Sequence, residues 1–264
     1  MKPWMPDWGA MLAEAPEFSV GGADGYVYLI ADAHLGDARA APEPFLAMLG
    51  QLPEARAIVF LGDLFKVWLA LPKYWNSDVR AVIEGFRRLR EAGSEIVFVV
   101  GNREFLLPRS DAAVQNLGLP FDRVVHGMCV VEWGGRRYGL THGDVVNRGD
   151  RQYLRWRRFS RGRLVSGAFR AMPGPVARGI AGWLESALAS TNREIKIRYP
   201  AAEVSAFAQA VTPGLDGFFI GHFHRDETLP SGTGRGFLRI VPDWFSKRAV
   251  LRLDAGGETA LLSF

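Results

Sequence analysis

Cysteine is nearly absent from this chain, whose 264 residues include only Cys129. One thiol cannot form an intrachain disulfide, and it excludes a zinc or iron–sulfur site built from several cysteines. Cys129 lies in the apolar run MCVVEW, where we expect an inert buried thiol rather than a nucleophile. The scarcity of cysteine favours a reducing compartment, and we expect the protein to be cytoplasmic.

Long apolar runs are missing as well. No stretch approaches the ~18 consecutive apolar residues that a membrane span requires. The first segment, MKPWMPDWGAMLAEAPEF, contains prolines and three acidic residues but no apolar core of a secretory signal. We therefore expect residues 1–25 to be an N-terminal leader to the first strand, which begins at Tyr26. The overall composition, 48% hydrophobic and 23% charged, is typical of a globular protein.

Acidic residues are scarce between residues 151 and 200, where eleven Lys and Arg face two Glu. This segment therefore carries a charge of +9, whereas the remainder carries −5. Apolar residues recur at helical spacing from Val176 to Leu188, with Trp183 among them. One interpretation is a helix packed on its own core with a solvated basic face. The other is a lid whose apolar face meets lipid or an acyl chain, with arginines attracted to an anionic surface.

The rest of the chain alternates strands with helices and then turns to hairpins. YVYLIADAH and AIVFLGDLF are apolar runs that end in polar residues. Between them, the apolar residues of PEPFLAMLGQL recur at helical spacing. The next helix, with Ser77 or Asp78 as its N-cap and Gly93 as its stop, leads to the strand EIVFVV. Gly134-Gly135 predicts a hairpin, and four further strands follow. This order predicts an α/β fold with two mixed sheets packed face to face and helices outside.

Carboxylate, amide and imidazole side chains recur where the apolar strands end, and four of the five histidines are among them. The set is Asp32, His34, Asp63, Asn102, His142, His222 and His224. Because open α/β sheets place their ligands at the C-terminal ends of the strands, we expect these side chains to converge. Their number and chemistry suit two divalent cations that share one carboxylate.

The order DAH, GD, GN, HGD, GHFH is similar to the signature of the calcineurin-like metallophosphoesterases, from Tyr26 nearly to the C-terminus. The resemblance implies a four-layer α/β/β/α sandwich over residues 26–264, with a helical lid inserted at about 151–200. It also implies one metal on Asp32, His34, Asp63 and His224, and a second on Asp63, Asn102, His142 and His222. Asp63 would bridge the metals, and a hydroxide between them would attack phosphorus in line.

Arg103 distinguishes the chain from most of that superfamily, which has histidine after Gly-Asn. Histidine can protonate an alkoxide leaving group, whereas arginine keeps its proton and suits a bidentate grip on phosphate. A phosphate leaving from a diphosphate needs no such acid, since its second pKa is near ~6. We therefore predict pyrophosphate hydrolysis, with Asp63, Asn102, Arg103 and His142 as catalytic residues.

GNREFLL together with THGDVVNRGDRQYLRWR resembles one branch, the UDP-2,3-diacylglucosamine pyrophosphohydrolases of lipid A biosynthesis. The branch implies an enzyme peripheral to the inner membrane that uses two Mn²⁺ ions, with iron or zinc as alternatives. It would cleave UDP-2,3-diacylglucosamine to UMP and 2,3-diacylglucosamine 1-phosphate. The implied substrate-binding residues are Arg103, Asp150, Tyr153, Arg157, Ser190, Asn192 and Lys196, the last three at a spacing unlike that of the branch. Glu104 and Lys66 also depart from the branch pattern.

Other functions compete with this prediction. A related phosphoesterase would act on another nucleotide diphosphate or on a phospholipid, and a nuclease would use the basic insertion to hold a polyanion. A scaffold would keep the fold without the metals. The apolar stripe of the insertion argues against a nuclease, so we expect no nucleic acid partner, and the complete ligand set argues against a scaffold. The leading prediction pairs an acylated nucleotide-sugar substrate with an anionic membrane surface.

Overall fold

The structure is a computed structural model, and it describes residues 6–22, 24–37, 40–173, 175–176, 179–180, 199–232, 234 and 236–264. The strands are β1 (Glu17–Ser19), β2 (Tyr26–Ile30), β3 (Ala55–Phe60), β4 (Trp68–Leu69), β5 (Glu95–Val99), β6 (Glu104–Phe105), β7 (Arg123–Val125), β8 (Met128–Trp133), β9 (Arg136–Thr141), β10 (Gly217–Ile220), β11 (Glu227–Pro230), β12 (Phe237–Ile240), β13 (Ala249–Leu253) and β14 (Thr259–Ser263). The helices are α1 (Trp8–Ala13), α2 (Pro42–Leu49), α3 (Ser77–Glu91), α4 (Asp111–Asn116), α5 (Arg151–Ser160), α6 (Arg163–Ala171), α7 (Ala201–Val211) and α8 (Trp244–Lys247), with a 3-10 turn at Pro72–Tyr74.

Two six-stranded sheets form the centre of the molecule, and both are mixed. Sheet I has the order β14-β13-β2-β3-β5-β7, with the last four strands parallel. Sheet II has the order β1-β8-β9-β10-β12-β11, in which β9, β10 and β12 are parallel. The predicted Gly134-Gly135 hairpin joins β8 to β9 as antiparallel neighbours. A small parallel pair, β4 with β6, lies outside both sheets.

The alternation of side chains along the strands divides the interior into separate cores. One face of sheet I, with Phe60 and Phe98, packs against α2 and α3. The opposite face, with Val59 and Val97, meets sheet II around Trp133. The outer face of sheet II packs against α1 and α7 in a further core. The layers are thus helix, sheet, sheet and helix, so the predicted α/β class with two mixed sheets is confirmed.

The described part of the segment predicted as a leader contains α1 and β1, and both pack against sheet II. Trp8 at the start of α1 is buried, and its indole N–H donates to the carbonyl of Val145 at 3.2 Å. β1 then pairs in parallel with β8, which makes it an edge strand of sheet II. Residues 6–19 therefore support the sheet whose strand β9 leads to His142.

The N-cap predicted for α3 was wrong by one residue. Asn76 is the cap, because its side-chain oxygen accepts the backbone N–H of Val79 at 2.9 Å. Ser77 and Asp78 lie in the first turn instead. Asparagine caps helices as well as serine or aspartate does, so the pattern alone did not separate the three. Gly93 follows the C-cap with φ of 100°, as the stop signal predicted.

The described part of the basic insertion contains α5 and α6, and Phe169 of α6 packs in the cluster that includes Leu69 of β4 and Phe105 of β6. Lys73 donates to the carbonyls of Arg170 and Met172 at 2.7 and 2.9 Å, and the Tyr74 hydroxyl donates to the carbonyl of Phe169. These bonds occupy carbonyl groups at the C-terminal end of α6 that the helix leaves without partners. Most of the helix predicted from Val176 to Leu188 lies outside the described residues. No helix within the described ranges is long and apolar enough to cross a membrane.

Candidate metal centre

The loops that follow the strands bring the predicted ligands together at one end of the two sheets. Five of them have a left-handed backbone, which is uncommon for residues other than glycine. They are Asp32, His34, Asp63, His222 and His224, with φ between 46° and 69°. Such strain persists where the surrounding structure enforces it, and it is concentrated at functional sites.

Asp32, His34 and His224 form the first group of side chains that could hold a metal ion. Their candidate ligand atoms lie within 4.8 Å of one another. The Nε2 atoms of His34 and His224 are 3.2 Å apart, and the Asp32 Oδ1 atom is 3.7 and 3.4 Å from them. Donors bound at 2.0–2.2 Å to one ion are about 3 Å apart, so this spacing suits shared coordination.

Asp63 and His142 combine with Asp32 in the second group. His142 Nε2 is 3.5 Å from Asp63 Oδ1 and 2.9 Å from Asn102 Oδ1, and it is 3.2 Å from Nδ1 of His222. The other ring nitrogen of His142, Nδ1, donates to the carbonyl of Leu61 at 2.7 Å. This bond leaves the Nε2 lone pair directed at the cluster, as a metal ligand requires.

All seven predicted ligands therefore meet in two adjoining groups. The residue common to the groups is Asp32, whereas the family pattern puts Asp63 between the two metals. Asp32 is central because its Oδ2 also accepts the backbone N–H of His222 at 2.6 Å, which joins the two halves. The bridging role of Asp63 stays a prediction.

Burial and neighbouring charges shift the pKa values of Asp32 and Asp63 in opposite directions. Burial acts to raise the pKa of Asp32, but His224, His142 and His34 outweigh it and hold this pKa well below its usual range. Burial and the charge of Asp32 raise the pKa of Asp63. Burial lowers the pKa of His222 to about 3, so this ring stays neutral and able to bind a metal.

The residues fit divalent cations on two observations. The carboxylate, amide and imidazole donors suit manganese, iron and zinc, and the only cysteine lies away from them in β8. Asp32 Oδ1 is fully buried and has no hydrogen-bond partner within the described part of the chain. A buried carboxylate oxygen without a partner is costly, and a cation coordinated to it would remove that cost.

Glu104, which the sequence left unexplained, ties the two ligand-bearing loops together. It is buried, and its carboxylate accepts the backbone N–H groups of Gly101, Asp63 and Leu64 at 2.7, 3.0 and 2.9 Å. Burial and the nearby Asp63 raise the pKa of Glu104 to about 8. Gly101 is three residues away in sequence, but Asp63 and Leu64 are 41 and 40 residues away, so no local pattern could have revealed how Glu104 joins the two loops.

Arg103 lies beside the second group of ligands. Its backbone N–H donates to Asp63 Oδ1 at 2.9 Å, and its Nε is 3.6 Å from Asp63 Oδ2. One terminal nitrogen donates to the carbonyl of Lys66 at 3.3 Å, while the buried Nε has no hydrogen-bond partner in the described structure. The guanidinium is thus held at the edge of the metal cluster with donor capacity remaining.

Tyr153 and Arg157 share one partner, as their spacing on one helical face suggests. Both donate to Oδ2 of the buried Asp144, Arg157 at 2.6 Å. Asp150, a predicted substrate contact, caps α5 by accepting the backbone N–H of Tyr153 at 2.8 Å. The three side chains thus cap α5 and attach it to Asp144, and their contact with substrate stays a prediction. Ser190, Asn192 and Lys196 lie outside the described residues.

Two further residues lie at the site, Asp243 and Arg161, and the sequence pattern indicated the first only weakly and the second not at all. Asp243 follows the apolar strand β12 in IVPDWF and is fully buried near His224. It obeys the same rule as the predicted ligands and could have been included. Arg161 donates to the carbonyl of Gly101 at 2.6 Å, a contact between residues that are 60 apart in sequence.

Cys129 is buried in the core between the sheets, in agreement with its predicted inertness.

No protein-family model matches the chain. Curated relatives match over nearly their whole length. The UDP-2,3-diacylglucosamine hydrolase of Stenotrophomonas maltophilia strain K279a is 31% identical over 246 residues, which cover 86% of this chain and 94% of the relative. The enzyme of the same name from Xanthomonas axonopodis pv. citri strain 306 is 32% identical, with 86% and 95% covered. The chain belongs to the UDP-2,3-diacylglucosamine hydrolase family.

The predicted family is thereby confirmed. Among solved structures, similar chains include an archaeal phosphodiesterase with a TM-score of 0.46 and 10% identity, with 90% of this chain and 99% of that one covered. Vacuolar protein sorting 29 from Cryptosporidium parvum has a TM-score of 0.42 and 13% identity, with 91% and 97% covered. Membership of the UDP-2,3-diacylglucosamine hydrolase family rests on the curated relatives.

Proposed function

We propose that this protein hydrolyses the diphosphate of UDP-2,3-diacylglucosamine to UMP and 2,3-diacylglucosamine 1-phosphate. The observation that carries the proposal is the convergence of seven donor side chains around the buried Asp32, with Arg103 at their edge. The relatives named UDP-2,3-diacylglucosamine hydrolase support this substrate. Two divalent cations are the proposed cofactors, with Mn²⁺ preferred because the resemblance to the branch implies it, whereas the donor set also suits iron and zinc.

The seven donors would hold the cations in two adjoining positions. Asp32, His34 and His224 would bind one, and Asn102, His142 and His222 the other, with Asp63 shared between the positions as the family pattern implies. When bound, such cations neutralise phosphate charge and activate water at neutral pH. The protein contributes a rigid frame, since Glu104 and the backbone of His222 lock the ligand loops to one another.

Arg103 would orient the diphosphate and stabilise its negative charge during bond cleavage. Its guanidinium is nine-tenths buried and fixed by Asp63 and the carbonyl of Lys66, so little freedom is lost when it binds phosphate. Arginine does not release its proton at neutral pH and would therefore not protonate a leaving group. A phosphate leaving group does not require that proton, which favours diphosphates over alkyl esters.

The outer surface of α5 and α6 supports the proposal that the enzyme works on a membrane surface. Phe159 and Leu164 are 64% and 91% exposed, and the neighbouring Arg155 and Arg158 are exposed as well. Apolar side chains beside arginines are the pattern that inserts into anionic lipid interfaces, where each charge contributes about 1 kcal/mol. An acylated substrate would be taken from such a surface.

A direct test is turnover of UDP-2,3-diacylglucosamine in detergent by the purified protein with Mn²⁺, carried out in heavy-oxygen water. We expect the label on UMP, and we expect no turnover of short soluble UDP-sugars. Asp63→Asn should reduce the rate by about 100-fold or more through loss of a metal ligand. Asp226→Asn, at an exposed position, is the matched control and should keep the rate. Absence of turnover of any diacylated UDP-sugar by the metal-loaded protein would overturn the proposal.

A further inference from the structure

We propose that Asp243 is a positioning residue that holds the proton of His224 on Nδ1, so that Nε2 presents its lone pair to a cation. The inference deepens the proposed function, because it concerns the same metal centre. It assigns a role to a fully buried carboxylate that lies outside the ligand set.

Asp243 lies between two structural elements and faces His224. It follows β12 and caps the short helix α8, where its Oδ2 accepts the backbone N–H of Ser246 at 2.7 Å. The same oxygen is 3.6 Å from Nδ1 of His224. The other oxygen, Oδ1, is buried without a hydrogen-bond partner in the described residues. Capping alone therefore accounts for only part of the carboxylate.

The ring of His224 is enclosed by acceptors on both sides. Its Nδ1 faces Asp243, while its Nε2 is 3.4 Å from Asp32 Oδ1 and 3.2 Å from Nε2 of His34. A neutral imidazole has a single N–H, and each ring nitrogen of His224 faces a buried carboxylate. Where a cation occupies the Asp32 side, Asp243 is the acceptor that remains for the proton, on Nδ1. The Nε2 atom is then an acceptor, as coordination of a metal requires.

Asp243 is also rigidly connected to the metal ligand Asp32. It forms a parallel bridge with Ala31, and the next two backbone N–H groups donate to the carbonyls of Ala31 and Asp32 at 2.9 and 3.2 Å. The carboxylate and the ligand it would orient are thereby fixed in one frame. His142 shows the same arrangement with a different acceptor, since its Nδ1 donates to the carbonyl of Leu61.

Two variants separate positioning from capping. Asp243→Ser keeps a side chain that caps helices well but cannot reach His224. Asp243→Asn keeps the volume and the cap and removes the charge. The matched control is Asp7→Ser, because Asp7 is an exposed N-cap at the start of α1. Thermal unfolding of all three variants identifies any that fails to fold. If Asp243→Ser does not fold, the comparison of Asp243→Asn with the wild type carries the test.

The readouts are the affinity for Mn²⁺, measured by chelator competition on the full chain, and the tautomer of His224, measured by nitrogen NMR on chelator-treated protein. We expect Asp243→Ser to weaken Mn²⁺ binding by 10- to 100-fold and Asp243→Asn by about tenfold. We also expect both variants to shift the His224 proton toward Nε2, and Asp7→Ser to match the wild type in both measurements.

Wild-type affinity within twofold in both Asp243 variants, with an unchanged tautomer, would overturn the inference. A wild-type protein that binds Mn²⁺ but does not cleave UDP-2,3-diacylglucosamine would overturn the proposed substrate and leave this inference standing. A wild-type protein that binds no divalent cation would overturn the proposed cofactor. The tautomer measurement would then still decide whether Asp243 orients His224.

Discussion

The guanidinium of Arg161 donates a hydrogen bond of 2.6 Å to the carbonyl oxygen of Gly101. Arg161 ends helix α5 of the basic insertion, and Gly101 directly precedes the predicted ligand Asn102. This bond therefore joins the insertion to the loop that carries part of the metal centre. Tyr153 and Arg157 add a second attachment through Asp144.

Replacing Arg161 should loosen the insertion and impair the site together. In Arg161→Gln we expect a lower kcat and faster tryptic cleavage within residues 151–173, because a charge-assisted hydrogen bond of about 1.5–3 kcal/mol is lost. Arg158→Gln is the matched control, since Arg158 is exposed on the same helix and forms none of the bonds described to this loop. Equal behaviour of the two variants in both assays would contradict a link between the insertion and Asn102.

Glu104 should contribute measurably to the stability of the fold. In Glu104→Gln the amide replaces one acceptor oxygen, so at least one of the three buried backbone N–H groups loses its partner. We expect the free energy of unfolding to fall by about 1–3 kcal/mol, as measured by urea denaturation. Glu84→Gln, at an exposed position on α3, should change it by less than about 0.5 kcal/mol. A loss no larger than that of Glu84→Gln would be inconsistent with this role.

His126 should make stability depend on pH. Burial lowers its pKa to about 4 in the folded protein, against 6.5 as its ordinary value. Between these pH values the unfolded chain binds more protons than the folded one, so acidification destabilises the fold. We expect this residue to reduce the free energy of unfolding by up to about 1.4 kcal/mol per pH unit from pH 6 to pH 4. The effect should fade as the pH rises through 6.5 and be absent by about pH 8, where neither state binds the proton.

The matched variant for that measurement is His126→Gln, whose amide can still donate to the carbonyl of Pro108, the partner of His126 at 2.8 Å. Urea denaturation at several pH values should show a shallower decline for the variant between pH 6 and pH 4. Identical slopes for variant and wild type would assign the acid sensitivity to other groups.

The exposed apolar side chains of the insertion should govern lipid binding. Phe159→Ser with Leu164→Ser should reduce sedimentation with vesicles that contain phosphatidylglycerol by tenfold or more, because each large apolar side chain contributes about 1.5–3 kcal/mol when fully buried. Leu261→Ser is the control, since Leu261 is 41% exposed on β14, outside the insertion. Substrate cleavage in detergent should be retained. Undiminished sedimentation of the double variant would remove this surface from the proposal.

Local sequence patterns predicted the parts of the molecule that depend on local chemistry. Apolar runs ending in Asp32, Asp63 and His142 gave both the strands and the convergence of the side chains, since parallel strands deliver their ends to one edge. The Gly134-Gly135 hairpin was equally local and is confirmed. The same reasoning predicted that Tyr153 and Arg157 share a face, although not that both contact Asp144.

Contacts between distant segments were not predictable in this way. Glu104 contacts backbone groups of Asp63 and Leu64, which only the fold brings near. The pairing of β4 with β6 involves two-residue strands that have no periodicity to detect. Asp243 is different, because it follows an apolar strand as the ligands do, and a consistent use of that rule would have included it.

The left-handed backbone at Asp32, His34, Asp63, His222 and His224 has a consequence for how this site can change over time. Glycine adopts such angles at no steric cost, so exchange of His34 for glycine would relieve strain in the chain while removing a donor from the cluster. Selection for a more stable fold and selection for metal binding therefore act in opposite directions at these positions. A descendant freed from its catalytic task would be expected to lose its histidines here first and to become more stable as it did so.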